Sequence, residues 1–404
     1  MKQKLFALFF IILLLAGCGP RQPVQNAENT PEDTEQAVPP PDDPSPQPPE
    51  TQPEPEPEPD PRAEAVEALL SQMTREEKVG QMFFVRCPAA DQTEKVREYH
   101  LGGYLLFSRD FKDSAGSYLT RDQFTAAIAS YQDAAAIPLL IGVDEEGGSV
   151  ARASRNPNLF PAKRKSPQEV YAQGGMEAIV QDTLDVNAAL LELGINVNFA
   201  PVADVSTDPA DFIYDRAFGQ DAEATAEYVR IAVTEMSAAG IGSVLKHFPG
   251  YGNNADTHTG IAVDERSYEQ FTQEDFLPFQ AGIEAGTGAV LVSHNIVTCM
   301  DDTLPASLSP QVHRILREEL GFTGVVLTDD LAMDAVESYA QDGSVAVLAV
   351  LAGNDMIVTT DFETQIPLVI AAVEDGTIDP SLIDEAVTRV LGWKYDLGLL
   401  SPAE

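Results

Sequence analysis

The folded part of this 404-residue chain is predicted to be an α/β protein, a single (β/α)8 barrel of the TIM type. Short apolar segments alternate with longer amphipathic ones from about residue 80 onward, which is typical of parallel strands connected by helices. Eight such apolar segments are present, as a closed barrel of this type requires. Several of them end directly in polar side chains, and barrel proteins of this class carry their sites at that end of the strands.

The N-terminus is predicted to be an export signal, residues 1–17. Lys2 and Lys4 precede the apolar run Leu5–Leu15, which is too short to span a bilayer and fits the core of a signal peptide. The tetrapeptide that ends in Cys18 resembles a bacterial lipobox, Leu-Ala-Gly-Cys. That resemblance implies a lipidated Cys18 and a lipoprotein at the extracytoplasmic face of the cell membrane.

Residues 18–61 are predicted to form a disordered linker after the lipidated cysteine. Between Gly19 and Pro61 the chain has 15 prolines and 11 acidic residues against one arginine. Such a segment has too few large apolar side chains to offset the entropy lost on ordering. Its Pro-Glu repeats favour an extended chain that spaces the barrel, residues 62–404, from the membrane. An acidic interaction tail is the alternative interpretation.

Within residues 62–404 the strands and helices follow in alternation. The predicted strands are Gln81–Val85, Gly103–Phe107, Leu139–Asp144, Asn196–Ala203, Ser243–His247, Ala289–His294, Val325–Asp329 and Asp355–Thr359. Helical periodicity predicts helices at Asp122–Ala136, Pro167–Leu193, Ala222–Ala239, Tyr268–Ala285, Pro310–Leu320, Ser344–Ala352, Thr364–Glu374 and Pro380–Tyr395. A doubly wound sheet also alternates, but it has a Gly-rich phosphate loop after its first strand, and no G-x-G-x-x-G loop follows a strand here.

Composition restricts the partners. The net charge of −39 argues against nucleic acid, which is bound by clustered lysine and arginine. Cys87 and Cys299 form neither a disulfide framework nor a zinc motif, and they either pair or stay free. The five histidines contain no His-x-His pair. We therefore expect a chain that needs no metal or cofactor, and we expect it to act as a monomer.

Polar side chains at the predicted strand ends are the first candidates for chemistry. They are Asp144, Asp204, Lys246, His247, His294 and Asp329. Asp329 and Asp330 end one strand together, and because side chains alternate along a strand, only one is expected to face the site. We choose Asp329 and expect Asp330 to cap the next helix or support the site; the alternative is that both carboxylates are helix caps.

Three further clusters add polar groups. Asp256 and His258 are two residues apart in a Gly/Asn-rich loop, where the carboxylate can fix the tautomer of the imidazole and make it a general acid/base; a surface coincidence is the alternative. Asp144 precedes two adjacent glycines, and Arg152 either binds a ligand oxygen or holds Asp144. Arg216 follows Asp215, with which a surface ion pair is equally compatible.

Six motifs in order resemble the β-N-acetylglucosaminidases of glycoside hydrolase family 3. They are Val143-Asp-Glu-Glu-Gly-Gly148, Asn198-Phe-Ala-Pro-Val-Ala-Asp-Val205, Asp215-Arg-Ala-Phe-Gly219, Lys246-His-Phe-Pro-Gly250, Asp256-Thr-His258 and Thr328-Asp-Asp-Leu-Ala-Met333. Together they cover nearly the whole predicted barrel. The chain differs from many members at Glu145, where they have glutamine, and at Tyr251, where they have histidine.

The resemblance implies a retaining, exo-acting enzyme that removes terminal GlcNAc from peptidoglycan-derived glycans. It implies Asp329 as the nucleophile and His258, assisted by Asp256, as the acid/base. The residues implied to bind the sugar are Asp144, Arg152, Arg216, Lys246 and His247. A non-catalytic lipoprotein that binds surface sugars or peptidoglycan, and a β-glucosidase or phosphorylase of the same family, are the alternatives.

Overall fold

The computed structural model describes residues 60–254, 262–333, 336, 339 and 344–401. The predicted signal peptide, Cys18 and nearly all of the predicted linker lie outside the described residues, as do Asp256 and His258. Asp60 caps a helix that begins at Pro61, one residue before the predicted start of the barrel at Arg62. No helix in the described ranges has both the length and the apolar character needed to cross a bilayer.

Eight parallel strands form the predicted barrel. The strands of the described chain are β1 Phe83–Arg86, β2 Gly103–Leu106, β3 Leu140–Val143, β4 Val197–Asn198, β5 Gly242–Phe248, β6 Val263–Asp264, β7 Ala289–Val292, β8 Ile296–Val297, β9 Val325–Thr328 and β10 Ile357–Thr359. The barrel order is β10-β1-β2-β3-β4-β5-β7-β9, and β6 pairs with β8 separately. A parallel bridge between Leu327 and Met356 brings the two outer strands together. The predicted fold class is therefore confirmed, with a barrel that is nearly closed.

Helices surround the strands. They are α1 Pro61–Leu70, α2 Arg75–Gln81, α3 Gln92–Tyr99, α4 Arg121–Ala134, α5 Pro167–Glu192, α6 Ala222–Ala239, α7 Tyr268–Gln270, α8 Phe276–Glu284, α9 Pro310–Arg314, α10 Val345–Ala352, α11 Phe362–Glu374 and α12 Pro380–Asp396. A five-residue π segment joins α7 to α8, and another follows α9. Each of the eight predicted helices is present, and α1, α2 and α3 are additional.

All eight predicted strands differ from the observed ones by one or more residues at their ends, and two of them differ most. Gln81 is the last residue of α2, so the first strand begins later than predicted. The predicted strand Asn196–Ala203 is regular only at Val197–Asn198. The side chain of Asn196 bonds to the neighbouring strand at Ile141 N and Leu139 O, at 2.8 and 3.1 Å, and Pro201 has no N–H to donate. Side-chain bonds therefore replace part of the backbone ladder.

The barrel interior is filled by side chains and closed at the amino-terminal end of the strands. Phe84, Leu140 and Leu291 belong to one buried hydrophobic cluster. Trp393 of α12 belongs to the same cluster and packs at the amino-terminal end of the strands. Gly242 and Gly288 make room for that indole, since a Cβ at these positions would lie 2.8 and 2.1 Å from Trp393. The interior is a packed core, and the open end of the barrel is at the carboxyl ends of the strands.

The two cysteines of the folded part are both free, Cys87 buried and Cys299 exposed. The question of their pairing, which the sequence left open, is therefore answered: they do not form a disulfide.

Candidate active site

A pocket of about 710 Å³ opens at the carboxyl ends of the barrel strands, a volume within the usual range of small-molecule sites. Its wall contains the six described residues for which the resemblance implies a catalytic or sugar-binding role, namely Asp144, Arg152, Arg216, Lys246, His247 and Asp329. These residues come from strand ends and loops as much as 185 positions apart. The barrel therefore brings together what the sequence analysis predicted as separate motifs.

A buried ion network forms one wall of the pocket. The ammonium of Lys246 lies 2.7 Å from Asp144 and 2.6 Å from Glu146. The guanidinium of Arg216 donates two hydrogen bonds to Glu146, at 2.9 and 2.8 Å. Arg216 therefore pairs with Glu146, and the alternative of a surface ion pair with Asp215 is wrong. The charges of this wall are fixed in position before any ligand arrives.

Electrostatics keep this network ionised. Burial alone would raise the pKa of the Glu146 carboxyl, but the charges of Arg216 and Lys246 outweigh it and hold that pKa well below its usual range. Burial would lower the pKa of Arg216, and Glu146 instead raises it above its ordinary value. Glu146 is a carboxylate throughout the physiological pH range, and the two cations keep their counter-charge.

His247 is held as one neutral tautomer. Its Nδ1 lies 2.7 Å from Asp204 Oδ2, and its Nε2 lies 3.1 Å from the Nη2 of Arg216. A guanidinium only donates, so Nε2 accepts and Nδ1–H donates to the carboxylate. Asp204 also accepts the backbone N–H groups of His247 and Tyr251. Asp204 thus fixes both the ring and the turn that follows it.

Lys246 and His247 face the same pocket although they are consecutive. The register of β5 shifts between Leu245 and Phe248, which interrupts the strict alternation of its side chains. In the same stretch Lys246 forms a parallel bridge with Val202, and Ala203 N donates to Lys246 O at 2.7 Å. The irregular end of the strand therefore delivers two adjacent side chains to one site.

Asp329 follows β9 directly, and its backbone N–H donates to Val292 O at 3.0 Å. Its Oδ1 accepts the N–H of Asp330 at 2.8 Å. Asp330 also lines the pocket, so the expectation that only one of the two carboxylates reaches it is wrong. Asp330 accepts from Ala332 N and Thr360 Oγ1, at 3.0 and 3.1 Å. These bonds stabilise the turn after β9, and the next helix that the structure describes, α10, is capped by Ser344 instead.

The environment of Asp330 differs from that of the ion network. Burial raises the pKa of the Asp330 carboxyl, and the neighbouring charge of Asp329 raises it further. The imidazole of His294 lies outside the pocket wall and bonds to Asp330 O and Ser307 Oγ, at 3.1 and 2.7 Å. His294 supports the turn rather than facing a ligand.

Arg152 reaches the pocket on a loop that Glu145 shapes. One carboxylate oxygen of this buried residue accepts the backbone N–H groups of Arg152 and Ala153, at 2.9 and 2.7 Å. The guanidinium of Arg152 lies over the ring of Phe107, 5.6 Å from its centroid. Among the described contacts there is no ion pair between Arg152 and Asp144, so the suggestion that Arg152 holds Asp144 is wrong.

The adjacent glycines of this loop are required by its geometry. Gly147 and Gly148 have φ values of +95° and +56°. A Cβ on Gly147 would lie 2.1 Å from the carbonyl oxygen of Lys165. The tight turn lets the chain return so that Arg152 enters the pocket next to Asp144.

Three residues of the site were missed as site residues. Glu146 stands within a recognised motif, but its role depends on partners distant in sequence. Asp204, which was predicted as a polar strand-end residue, bonds to His247 and is not part of the pocket wall. Arg86 ends β1 and Phe107 follows β2, and both line the pocket. The signal for Arg86 was available, since a charged residue closing a buried apolar strand is the pattern that singled out Lys246. No cluster of metal-ligating side chains is present in the described ranges.

Comparison with known proteins identifies the family. The model of the glycosyl hydrolase family 3 N-terminal domain matches residues 74–392. A beta-hexosaminidase of Nitrosomonas eutropha is 30% identical over 309 residues, which cover 75% of this chain and 82% of that protein. A beta-hexosaminidase of Stenotrophomonas maltophilia is 32% identical over 324 residues, 77% of this chain and 87% of that one.

Solved structures agree with this result. A family 3 β-N-acetylglucosaminidase from Paenibacillus sp. FPU-7 superposes with a TM-score of 0.74 and 32% identity, covering 81% of this chain and 63% of that one. A β-N-acetylhexosaminidase from Beutenbergia cavernae gives a TM-score of 0.67 and 30% identity, covering 79% of this chain and 98% of that protein. Residues 74–392, which the family model matches, contain the whole pocket described above. This chain belongs to glycosyl hydrolase family 3, and it is a glycoside hydrolase.

Proposed function

We propose that the chain is a retaining, exo-acting β-N-acetylglucosaminidase that releases terminal GlcNAc from peptidoglycan-derived glycans. The observation that carries the proposal is the single pocket in which Asp329 faces a preformed set of hydroxyl-binding groups. Relatives at about 30% identity are named beta-hexosaminidase, which favours an acetamido sugar over glucose. A sugar offers several hydroxyls, and the fixed carboxylate, ammonium, guanidinium and imidazole groups of this wall match them.

In the first step the carboxylate of Asp329 attacks C1 of the terminal sugar, and the bond from C1 to the leaving oxygen breaks. His258 gives its proton to that oxygen, so the aglycone leaves as an alcohol. The product on the protein is a glycosyl ester of Asp329. In the second step His258 takes a proton from water, the water oxygen bonds to C1, and the carboxylate of Asp329 is released. C1 is inverted twice, so its configuration is retained.

The described residues supply orientation and charge. Asp144, Lys246 and Arg216 are held by ion pairs, and His247 by Asp204, so these groups bind hydroxyls without having to be ordered first. Arg152 adds guanidinium donors to the same pocket. The roles of His258 and its partner Asp256 rest on the family resemblance. Their loop follows Asn254, whose amide donates to Asp264 Oδ2 at 2.7 Å and to Tyr251 O at 2.8 Å.

The proposal extends to where the enzyme works. Cys18 would carry a lipid at the outer face of the cell membrane, and the proline-rich linker would place the barrel within the surrounding wall polymer. A cell-surface location and an acetamido-sugar site together point to wall fragments as substrate. The support for this step is the lipobox-like sequence and the composition of residues 18–61.

The test is hydrolysis of 4-nitrophenyl β-N-acetylglucosaminide by the wild type, Asp329→Asn and His258→Ala, with the β-glucoside for comparison. We expect release from the acetamido sugar only, a loss of at least 1,000-fold in kcat for Asp329→Asn, and a smaller loss for His258→Ala. Asp133→Asn, a change of one exposed carboxyl, is the matched control and should retain wild-type rates. A folded wild type that cuts neither sugar contradicts the proposal and favours a sugar-binding lipoprotein.

Two further measurements address mechanism and substrate. A 5-fluoro N-acetylglucosaminyl fluoride should accumulate as a glycosyl adduct on the peptide that contains Asp329, detected by mass spectrometry; an inverting enzyme would give no adduct. Muropeptides with terminal GlcNAc should lose that sugar. If chitobiose is cut while wall fragments remain intact, the wall-substrate part of the proposal is wrong and the glycosidase part stands.

A further inference from the structure

Two arginines in the pocket lack the carboxylate partner that the other partly buried arginines of the described chain have. Arg86 at the end of β1 and Arg152 both line the pocket, and their guanidinium carbons lie 4.3 and 5.6 Å from the centroid of the Phe107 ring. The Nε atom of each is buried and has no hydrogen-bond partner. Neither guanidinium forms an ion pair with a carboxylate of the described residues.

Other partly buried arginines of the described chain have such partners. Arg164 pairs with Asp182 at 2.8 Å, Arg266 with Asp264 at 2.7 Å, and Arg317 with Asp355 at 2.5 Å. Taking an unpaired ion out of water costs more free energy than contact with the face of one aromatic ring returns. The ring of Phe107 alone is therefore a weak partner for two cations, and a ligand with negative oxygen atoms would complete the site.

Two carboxyl groups near this pair, those of Asp110 and Asp144, have other partners. Asp110 is close enough for the charge of Arg86 to lower its pKa, but burial acts more strongly and raises that pKa above the usual value. Its oxygens accept from Phe107 N at 2.7 Å and from Arg109 Nε at 3.4 Å, and it makes no ion pair with Arg86. Asp144 is held by Lys246. Neither carboxylate therefore occupies the donors of Arg86.

The order of strands places the pair relative to the sugar, on the basis of the proposed function. Asp329, at the end of the seventh barrel strand, marks the position of C1. Lys246 on the fifth strand and Asp144 after the third lie on the side of the pocket with the most polar groups. That side suits the edge of the sugar that carries the substituents of C2, C3 and C4. Arg86 ends the first strand, between Asp144 and Asp329 around the barrel, so it faces the remaining C5–C6 edge.

We propose that Arg86 and Arg152 form an oxyanion subsite for a terminal N-acetylglucosamine that carries a phosphate or sulfate ester on C6. A guanidinium donates through a planar fork that matches such a group in two parallel bonds, and Arg152 has donors enough to serve a sugar hydroxyl as well. A plain hydroxymethyl group has one oxygen and leaves donors of both arginines unfilled. The subsite thus selects terminal sugars by charge.

The experiment compares 4-nitrophenyl β-N-acetylglucosaminide with its 6-phosphate and its 6-sulfate, using the full chain. For the wild type we expect kcat/KM to be roughly 10- to 100-fold higher for at least one of the two esters, the size of one or two charge-assisted hydrogen bonds. The ester that gains more identifies the source of the oxyanion. Equal kcat/KM for the three substrates, or a lower value for both esters, overturns the proposal.

Variants separate the subsite from a structural role. Arg86→Gln should abolish the preference, with a loss in kcat/KM at least tenfold larger for the preferred ester than for the neutral sugar. Arg86→Lys, which keeps the charge without the fork, should restore part of it. Arg97→Gln, on the exposed face of α3, removes one positive charge elsewhere and should keep the full preference. Equal losses for neutral and charged sugars in Arg86→Gln contradict the subsite.

A binding measurement does not depend on turnover. Calorimetric titration with N-acetylglucosamine 6-phosphate and with N-acetylglucosamine should show tighter binding of the phosphate ester, lost in Arg86→Gln, with inorganic phosphate at the same concentrations as control. If no substrate is hydrolysed but this difference is found, the proposed hydrolysis fails and the subsite stands. If the neutral sugar is hydrolysed and the esters neither bind nor react better, the subsite fails and the proposed function stands.

Discussion

Glu146 is the residue on which the charges of the pocket depend, since it is buried between Lys246 and Arg216. Replacing it by glutamine leaves two buried cations with less counter-charge. We expect Glu146→Gln to lower the free energy of unfolding by about 3–5 kcal/mol and to reduce kcat/KM, measured by urea unfolding and by hydrolysis of the acetamido substrate. Glu177→Gln, an exposed change of the same kind on α5, should remain near the wild type in both.

The depressed pKa of Glu146 adds a pH dependence with a definite sign. The unfolded chain takes up a proton at a higher pH than the folded one, so the contribution of Glu146 is complete above its ordinary value near 4.5 and is lost as the pH falls below it. The difference in unfolding free energy between wild type and Glu146→Gln should therefore shrink from pH 7 toward pH 3. A difference that stays constant over this range contradicts the role of the charge.

Asp204 is expected to act through His247. In Asp204→Asn the amide can donate from its NH2 group to Nδ1, which favours the His247 tautomer with its proton on Nε2. The Nε2–H group and the guanidinium of Arg216 are then both donors, so the hydrogen bond between them is lost. We expect KM to rise about tenfold or more with a smaller change in kcat, because the role proposed for this ring is to bind the sugar and not to act on the breaking bond. The tautomer is read from the ¹⁵N shifts of His247, and an unchanged tautomer would contradict this mechanism.

At the scale of residues, the sequence predicts a place in the site where a local pattern determines it. It does not predict a place that depends on a partner far away along the chain. Asp144, Lys246 and Asp329 end apolar strands, and that local pattern is enough to place them at the open end of a barrel. Glu146 meets Arg216 across 70 positions, and no local pattern of either residue states that contact. The two carboxylates at the end of β9 show the limit of the alternation argument, because the chain leaves the strand conformation after Thr328 and both reach the pocket.

At the scale of elements, periodicity located the helices that cover the barrel and failed for those that precede or separate its first strands. The helix α3 has one buried residue, Val96, and α1 is only weakly amphipathic, so neither presents the apolar stripe that periodicity detects. The helix α2 is marked instead by a capping box between Thr74 and Glu77. The capping residues predict this helix, whereas hydrophobic periodicity does not.

The junction of α12 with the bottom of the barrel gives a prediction for Gly288. A methyl group there would lie 2.1 Å from Nε1 of the buried Trp393. Since the interior is close-packed, the indole has to move, and we expect Gly288→Ala to cost about 1–3 kcal/mol in unfolding free energy. Gly376→Ala has open space around the new methyl and serves as a packing control, although its positive φ adds a backbone cost of its own. Near-equal midpoints in urea for Gly288→Ala and wild type contradict the packing.

Lys394 of α12 is fully buried, and its ammonium has Gln81 Oε1 as acceptor at 2.6 Å. Burial lowers the pKa of Lys394 to about 7. Between this pH and about 10.5 the unfolded chain binds the additional proton, so the contribution of Lys394 to the free energy of unfolding rises with pH through that window and is least favourable below pH 7. The difference between wild type and Lys394→Met, measured by urea unfolding from pH 6 to pH 10, should follow this rise. A flat difference contradicts the shifted lysine.

At the scale of the whole molecule, the sequence separates an N-terminal region without a hydrophobic core from a barrel that contains every described group of the site. Residues 19–61 carry 11 of the 64 acidic residues of the chain and a single arginine. This composition predicts an extended segment whose like charges repel one another, and the length of such a segment limits how far the barrel can lie from its anchor. Catalysis and location should therefore be separable by substitution.

Replacement of Cys18 tests that separation. Without the thiol no lipid can be attached, and a single aqueous barrel has no other anchor in the proposal, so Cys18→Ala should move the protein from the membrane fraction to the soluble fraction of the cell. The pocket lies in the barrel more than 60 residues away in sequence from Cys18, so kcat/KM for the soluble 4-nitrophenyl substrate should equal that of the wild type. Release of GlcNAc from intact walls in situ should fall, because the enzyme is no longer held beside its polymer. Retention of the variant in the membrane fraction would show that another segment binds the membrane, and the proposed anchor would then be wrong.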